Sequence, residues 1–451
     1  SSPTLLLIGI TYSLEMKKIS LASTAVLGSV LAAKRYQNHN KEIRHKMKEL
    51  AKPYPRTLNE DLLIDVANTA PKGKKTCVII GGGVAGISSA YELCEKGHNV
   101  VLLEKYPETG MQCSAAPAGG MQRSNPTVDA SMWIAAVESI TGIAPFQYFR
   151  MNFWETLTDP HFLRWFAGFT HNSAIVSDKE HEHYQKQLLS FTNWSIDDII
   201  AIMKTEDLTD VTGLVHTGAL QLYYDTDSLA AAKKKLSVSS NTTREVTVML
   251  SREEVLAMEP CLAHIAPDDG GGKGGDQLVG GAMQTSAASG SCLGYTNGMM
   301  KVLKEKHRDR FHVESNVSVV DFETEYGKIT QVHTSRGTLD VPVGVEVVVA
   351  AGSWTPLILR KLDLYCPVYP MKGYNLIVDI IPAGLKEADF PSRVVIDSFV
   401  YSSTLNKELR LASFGEFDGW NTAPNPPLAR DLQRQAGRMY PSLKQALRSA
   451  D

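Results

Sequence analysis

An unbroken apolar run, Cys77 to Ile80, stands between a polar lead-in and a cluster of glycines. Short runs without alternation predict strands buried on both faces, as in parallel sheets. Beyond the glycines, Val84, Ile87, Ala90, Tyr91 and Cys94 recur at helical spacing and stop at Gly97, a residue suited to end a helix. A second apolar run follows from Val100 to Leu103. Residues 76 to 105 therefore predict strand, tight turn, helix, strand.

The rhythm changes downstream. Residues 106 to 127 are rich in Gly, Ala and Ser and predict a loop. From 128 to about 265 the pattern predicts mixed helix, with aromatic clusters such as "FQYFRMNFWETL" and "FLRWFAGF" expected in the core. "DDGGGKGG" predicts a surface insertion; no Ser or Thr follows Lys273 as a phosphate loop would require. "SCLGYTNGMMKVLKEK" predicts a helix, and "FHVESNVSVVDFE", "ITQVHTS", "GTLDVPV" and "VEVVVAAGSW" predict strands between turns. "YPMKGYNLIVDI" and "ELRLASFGEF" add further strands before a closing helical segment.

Gly81, Gly83 and Gly86 satisfy G-x-G-x-x-G between the first strand and the helix. The first glycine permits the turn, the second lets backbone approach a pyrophosphate, and the third allows helix and strand to pack closely. Helix N-terminal N–H groups, here of Val84 and Ala85, then face the anion. Glu104 ends the second strand, close to the ~20-residue spacing of a ribose-binding carboxylate. This cradle alone suits NAD as well as FAD. A small-residue loop after the second strand, and Ala350, Ala351 and Gly352 closing a later strand, favour a flavin over a regular NAD domain.

Composition narrows the classes. The chain has 451 residues, enough for more than one domain, with 43% apolar residues and a net charge of −3. No basic field argues for nucleic acid. The six cysteines form no C-x-x-C pair or zinc spacing, which fits reduced, mostly packed thiols; Cys113 alone falls in the cofactor loop. His171, His181 and His183 lack companions at metal-ligand spacing, so no metal is expected. Lys17 and Lys18 precede an apolar run from Ile19 to Ala33, and Lys34 and Arg35 follow it. That run is shorter than the ~20 residues a membrane span needs. The segment predicts a mitochondrial transit peptide, with a membrane anchor or an untargeted cytoplasmic chain as alternatives.

The ordered pieces "VIIGGGVAGISSAYEL", "VVLLEK", "SAAPAGGM", "VVVAAGSWTPLI" and "PVYPMKGYNLIV" resemble the FAD-dependent oxidoreductases of the D-amino-acid oxidase family, most closely the D-amino-acid dehydrogenase branch. The resemblance spans roughly residues 76 to 440. It implies an α/β fold in which a Rossmann-like FAD-binding domain of glutathione-reductase type interleaves with an α+β substrate domain on a mainly antiparallel sheet. The implied division is 76–130 plus 295–356 for FAD and 131–294 plus 357–451 for substrate, after a targeting and linker segment, 1–75. It implies that Gly81, Gly83, Val84, Ala85 and Gly86 hold the pyrophosphate, Glu104 the ribose, and that Lys105 lies near the adenine. Ser114, Ala115 and Gly120 would line the flavin loop, Val317 would meet adenine through its backbone, and Ala351 and Gly352 would pack on the dinucleotide. Tyr374 and Lys372 are implied on the substrate side. Arg410 and Arg393 are candidates for a carboxylate clamp, since a guanidinium pairs with a carboxylate through two bonds.

The implied chemistry is oxidation of the C–N bond of a D-amino acid or related small amine. Hydride passes to flavin N5, and the imine hydrolyses to a 2-oxo acid and ammonia. Oxygen, a quinone or another flavoprotein would take the electrons, with peripheral membrane association a further expectation. The pattern also departs from the family. Members continue past the helix that ends here, with a strand and a second glycine-rich turn closing the FAD site. An incomplete, non-catalytic FAD-binding chain is thus the alternative expectation. Relatives often carry an acidic residue where this chain has Ser291 and Cys292.

Overall fold

The computed structural model describes residues 57–123, 149–152, 156, 158–172, 178–239, 246–265, 278–381, 383–397 and 400–444. The N-terminal segment expected to serve in targeting and the "DDGGGKGG" stretch lie outside these residues. Among the described residues no helix is long and apolar enough to cross a membrane.

A four-stranded parallel sheet runs in the order β13 (Glu346–Val349), β1 (Thr76–Ile80), β2 (Asn99–Leu103), β9 (Phe311–Glu314). Every residue of β1 and β2 is buried, because both faces are covered. Ile79, Val100 and Leu102 point to one face, under helices α2 (Val84–Glu95) and α3 (Cys292–Lys306), where Ile87, Tyr91, Tyr295 and Met299 meet them. The alternate residues Val78, Ile80, Val101 and Leu103 point to the other. There they meet helix α1 (Leu62–Asn68) and the antiparallel sheet β10 (Val319–Glu325), β11 (Lys328–Thr334), β12 (Gly337–Asp340). Each buried Val, Leu or Ile stabilises the sheet by about 1.5–3 kcal/mol.

The structure corrects the sequence reading in three places. The expected linker contains α1, whose Leu63 and Val66 are buried beneath the parallel sheet. "FHVESNVSVVDFE" divides into β9 and β10, which belong to different sheets; Asn316, with φ 56°, turns the chain between them. The stretch expected to be mixed helix contributes β4 (Phe149–Met151), β5 (Ala219–Tyr223) and β6 (Thr247–Ser251) to the large sheet. Of its aromatics, "FLRWFAGF" packs as expected, with Phe162 buried against Phe166, Tyr369 and Phe417, while most of "FQYFRMNFWETL" lies outside the described residues.

The large sheet runs in the order β14 (Lys372–Asp379), β17 (Glu408–Phe417), β16 (Tyr401–Leu405), β15 (Val394–Ile396), β5, β7 (Gly280–Gln284), β6, with β4 beside β17. It is antiparallel except at β15–β5 and β17–β4. One face carries Tyr374, Val378, Leu409 and Leu411 against helix α4 (Pro426–Met439), which contributes Leu428, Leu432 and Ala436. A two-stranded piece, β3 (Gly120–Met121) with β8 (Ala288–Ser289), joins the glycine-rich loop to the start of α3.

Candidate functional site

The glycine turn forms because three positions exclude a side chain. Gly81 has φ 110°, and a Cβ there would lie 2.6 Å from the Ala350 carbonyl oxygen. A Cβ on Gly86 would strike the Gly81 carbonyl, so helix and strand meet backbone to backbone. Gly82, outside the fingerprint, is equally confined: its Cβ would lie 2.7 Å from Thr109 Cγ2 and 2.9 Å from Glu104 Oε2. Gly83 differs. It caps α2 in an extended conformation, and a Cβ there would meet only Ser114 Oγ, at 3.5 Å. The space beside the first turn of α2 is therefore open, where orphan N–H groups and the helix dipole attract an anion.

Glu104 is buried at the end of β2. Its carboxylate accepts the Gly82 N–H at 2.6 Å and the Tyr106 N–H at 2.8 Å. Its carbonyl accepts the Val317 N–H at 2.8 Å. The Val317 N–H is thus engaged within the protein and its side chain packs in the core beneath the parallel sheet, which leaves the expected backbone contact with adenine to its carbonyl. Lys105 Nζ lies 4.4 Å from the centroid of the Trp354 ring, and burial lowers its pKa. Gly352 has φ 54° and open space where a Cβ would stand. Ser114 Oγ accepts the Val84 N–H at 3.0 Å. Burial raises the pKa of the Cys292 thiol, against a lowering influence of Ser114. Ser291 caps α3 through the Gly294 N–H, at 3.0 Å, a task a carboxylate can also perform.

The substrate-side expectations fare differently. A bulge between Gly373 and Tyr374 and the strand alternation turn Tyr374 to the face covered by α4, away from the loop at 115–120. A one-residue shift moves a side chain to the opposite face. The Tyr374 hydroxyl donates to Glu416 at 2.6 Å and accepts the Asn425 N–H at 2.9 Å. Lys372 pairs with Glu416 at 3.0 Å and Asp418 at 3.3 Å, and lines a cavity of about 530 Å³ with Asn152, Asn421 and Asp431. Glu416 carries the balance of opposing effects: burial raises its pKa, while hydrogen bonds from Asn425, Tyr374 and Lys372 bring it below the ordinary 4.5. Arg393 is no free clamp either; its Nε donates to buried Glu259 at 2.6 Å.

The loop-facing side of the large sheet holds Arg410, expected as a carboxylate clamp but engaged with Glu408 and the loop, beside residues that sequence reasoning passed over. Asn375, Ala412 and Tyr401 form one cross-strand row; Ile377, Arg410 and Ser403 form the next. Asn375 donates to the Ala116 carbonyl, Ser403 to Ala118, and Arg410 to Pro117 at 3.3 Å. Arg410 is buried and paired with Glu408 at 2.8 Å. The available signal was Asn375, Arg410 and Ser403 among apolar strand residues, interrupted by Ala412 and Ile377 on the same face.

The family model for FAD dependent oxidoreductases, DAO, matches residues 76–450. The chain belongs to this family. Its members supply the expected enzyme class and cofactor: the protein is an FAD-dependent oxidoreductase. A protein named D-amino acid dehydrogenase from Methylobacterium sp. is 26% identical, covering 81% of each chain. Another so named, from Cereibacter sphaeroides, is 28% identical over 78% of this chain and 75% of its own. Among solved structures, glycine oxidase from Geobacillus kaustophilus aligns with TM-score 0.55 at 17% identity, over 82% of this chain and 80% of its own. L-proline dehydrogenase from P. horikoshii also gives 0.55, at 16% identity, over 82% and 78%. These two share the fold: a parallel sheet beside a mainly antiparallel one. The DAO-family cofactor fits the residues present. The open positions at Gly83 and Gly352, the first turn of α2, Ser114 and buried Glu104 would hold its adenosine diphosphate half.

Proposed function

We propose that the protein oxidises the C–N bond of a D-amino acid or a related small amine. The product would be an imine that hydrolyses to a 2-oxo acid and ammonia. The observation that carries this reading is the likeness to proteins named D-amino acid dehydrogenase along some four-fifths of the chain, at 26–28% identity. FAD, when bound, supplies the hydride acceptor. The chain's own residues hold and orient. The α2 N-terminus and Ser114 take the phosphates, and Glu104 takes the ribose. The loop at 115–120 lies between this cradle and the sheet face bearing Tyr401 and Arg410. No strong protein base is needed if the amine binds deprotonated.

The test uses the full chain loaded with FAD. It is mixed anaerobically with a panel of D-amino acids, L-amino acids, sarcosine and glycine, and flavin bleaching is followed. Bleaching by D-amino acids, with 2-oxo acid released, supports the proposal. Loaded protein that no amine bleaches overturns it and supports a non-catalytic FAD-binding chain. In air, stoichiometric peroxide would mark an oxidase; its absence, with a quinone or dye reduced instead, would mark a dehydrogenase.

A further inference from the structure

The glycine-rich loop is gripped along four consecutive peptide groups. Three carbonyls are held by side chains from three adjacent strands: Ala116 by Asn375 on β14, Pro117 by Arg410 on β17, and Ala118 by Ser403 on β16. The fourth, Gly119, accepts the Gly290 N–H at 2.9 Å. The next residue, Gly120, lies so close to the Tyr401 hydroxyl that no Cβ would fit. Gly119 has φ 80°, and a Cβ there would come within 2.7 Å of the Gly290 carbonyl.

Planar trans peptides direct C=O and N–H to opposite sides. Drawing the carbonyls of Pro117 and Ala118 onto the sheet therefore turns the N–H groups of Ala118 and Gly119 away from it. Pro117 has no N–H to present. The loop thus shows carbonyl oxygens to the sheet and donors to the opposite side, a polarity suited to an anionic or electron-rich ligand. The preceding residues support that direction, since Ser114 ties the same loop to the α2 N-terminus.

We propose that Asn375, Ser403 and Arg410 are positioning residues for FAD: together they clasp the 116–118 carbonyls and fix the loop in its donor-outward form. They act through the loop rather than by touching the reacting amine. Arg410 brings a charged donor to a carbonyl while Glu408 balances its charge within the sheet. The proposal rests on the family's cofactor and not on the amine reading, so it is read without substrate and fails independently of it.

The experiment compares the full chain with Ser403→Ala, Asn375→Ala and a neighbouring control, Ser402→Ala. Ser402 points to the opposite face, where its hydroxyl meets Tyr440 at 2.6 Å. Three readouts are taken: the melting point of the apoprotein, hydrogen exchange at residues 116–120, and the FAD dissociation constant with the visible circular dichroism of bound flavin. Ser403→Ala and Asn375→Ala should each speed loop exchange and weaken FAD about three- to tenfold, the effect of one hydrogen bond. The flavin dichroism should change, while the apoprotein melting point stays within about 2 °C. Ser402→Ala should lower melting while leaving loop exchange and FAD affinity within about twofold of the parent. Ser403→Thr, which keeps the hydroxyl, should restore affinity, and Arg410→Lys, which keeps the charge beside Glu408, should reproduce the Ser403→Ala pattern. The proposal is overturned if loop exchange and FAD affinity stay within twofold of the parent in both alanine variants. It is equally overturned if their FAD loss merely tracks a melting loss like that of Ser402→Ala.

Discussion

Gly83→Ala separates the cradle's ligand role from its structural role. In the apoprotein the added methyl meets one atom, Ser114 Oγ, at an ordinary 3.5 Å. Gly83 has φ −76° and ψ −178°, which alanine adopts without strain. Alanine narrows the unfolded ensemble, a gain of about 0.4–1 kcal/mol, and replaces a modest N-cap, a loss of similar size. The net change in fold stability is near zero. With FAD bound, the same methyl projects into the space beside the α2 N-terminus. Overfilling a close-packed contact costs about 1–3 kcal/mol, so FAD should bind roughly 5- to 150-fold more weakly. Gly86→Ala is the contrast: its Cβ would strike the Gly81 carbonyl, a backbone atom fixed by the turn. That variant should lose fold stability before any ligand is added. The assays are apoprotein melting and titration with FAD followed by flavin fluorescence. Parent-like affinity in Gly83→Ala, or an apoprotein melting point lowered as far as in Gly86→Ala, would refute the reasoning.

Two further outcomes follow from other parts of the structure. Glu416→Gln removes one of the two carboxylates paired with Lys372 and weakens the hydrogen bonds of Tyr374 and Asn425, and should destabilise the protein by about 1–3 kcal/mol at neutral pH. Because the folded pKa of Glu416 lies below the ordinary 4.5, its stabilisation is present above that value and is lost as pH falls through the lower one. Urea unfolding should show the parent and variant converging in acid; a gap that widens there would count against this account. Burial pushes the thiols of Cys94 and Cys261 up to about 12, whereas Cys113 is exposed. Iodoacetamide at mildly alkaline pH should therefore label native Cys113 and reach the other two only on unfolding. Mass spectrometry showing Cys94 or Cys261 labelled in the native protein would contradict it.

The cradle was legible because its constraints are local. Gly81, Gly83 and Gly86 answer to a turn and a helix end within six residues, and Glu104 closes the adjacent strand. The apolar runs of β1 and β2 were equally plain, being buried on both faces. The loop-facing patch was not legible. Whether Tyr374 or Asn375 faces the loop depends on one bulge, and apolar alternation on β14 is blurred by Ile377 on the exposed side. Arg410 carried the right character for a site, but its partners, Glu408 and the Pro117 carbonyl, are set by tertiary placement. β7 escaped notice because "GGAMQ" opens on glycines, whose missing side chains admit Leu220 and Leu229. The division of β9 from β10 turned on a single left-handed asparagine inside an otherwise strand-like run.

The strand order of the parallel sheet also sets a timetable for synthesis. β1 lies between β2, which follows it at once, and β13; the Lys75–Glu346 pair beside that junction joins residues 271 positions apart. At about 5–20 residues per second, β1 waits roughly 15–55 s for its second neighbour. Throughout that interval one edge of a wholly buried, mostly apolar strand stands open to pairing with other chains. The cradle is complete only when Val317 and Ala350 have been added. FAD therefore meets a finished binding site late, and until Ala350 has been added the nascent chain gains no stabilisation from the cofactor.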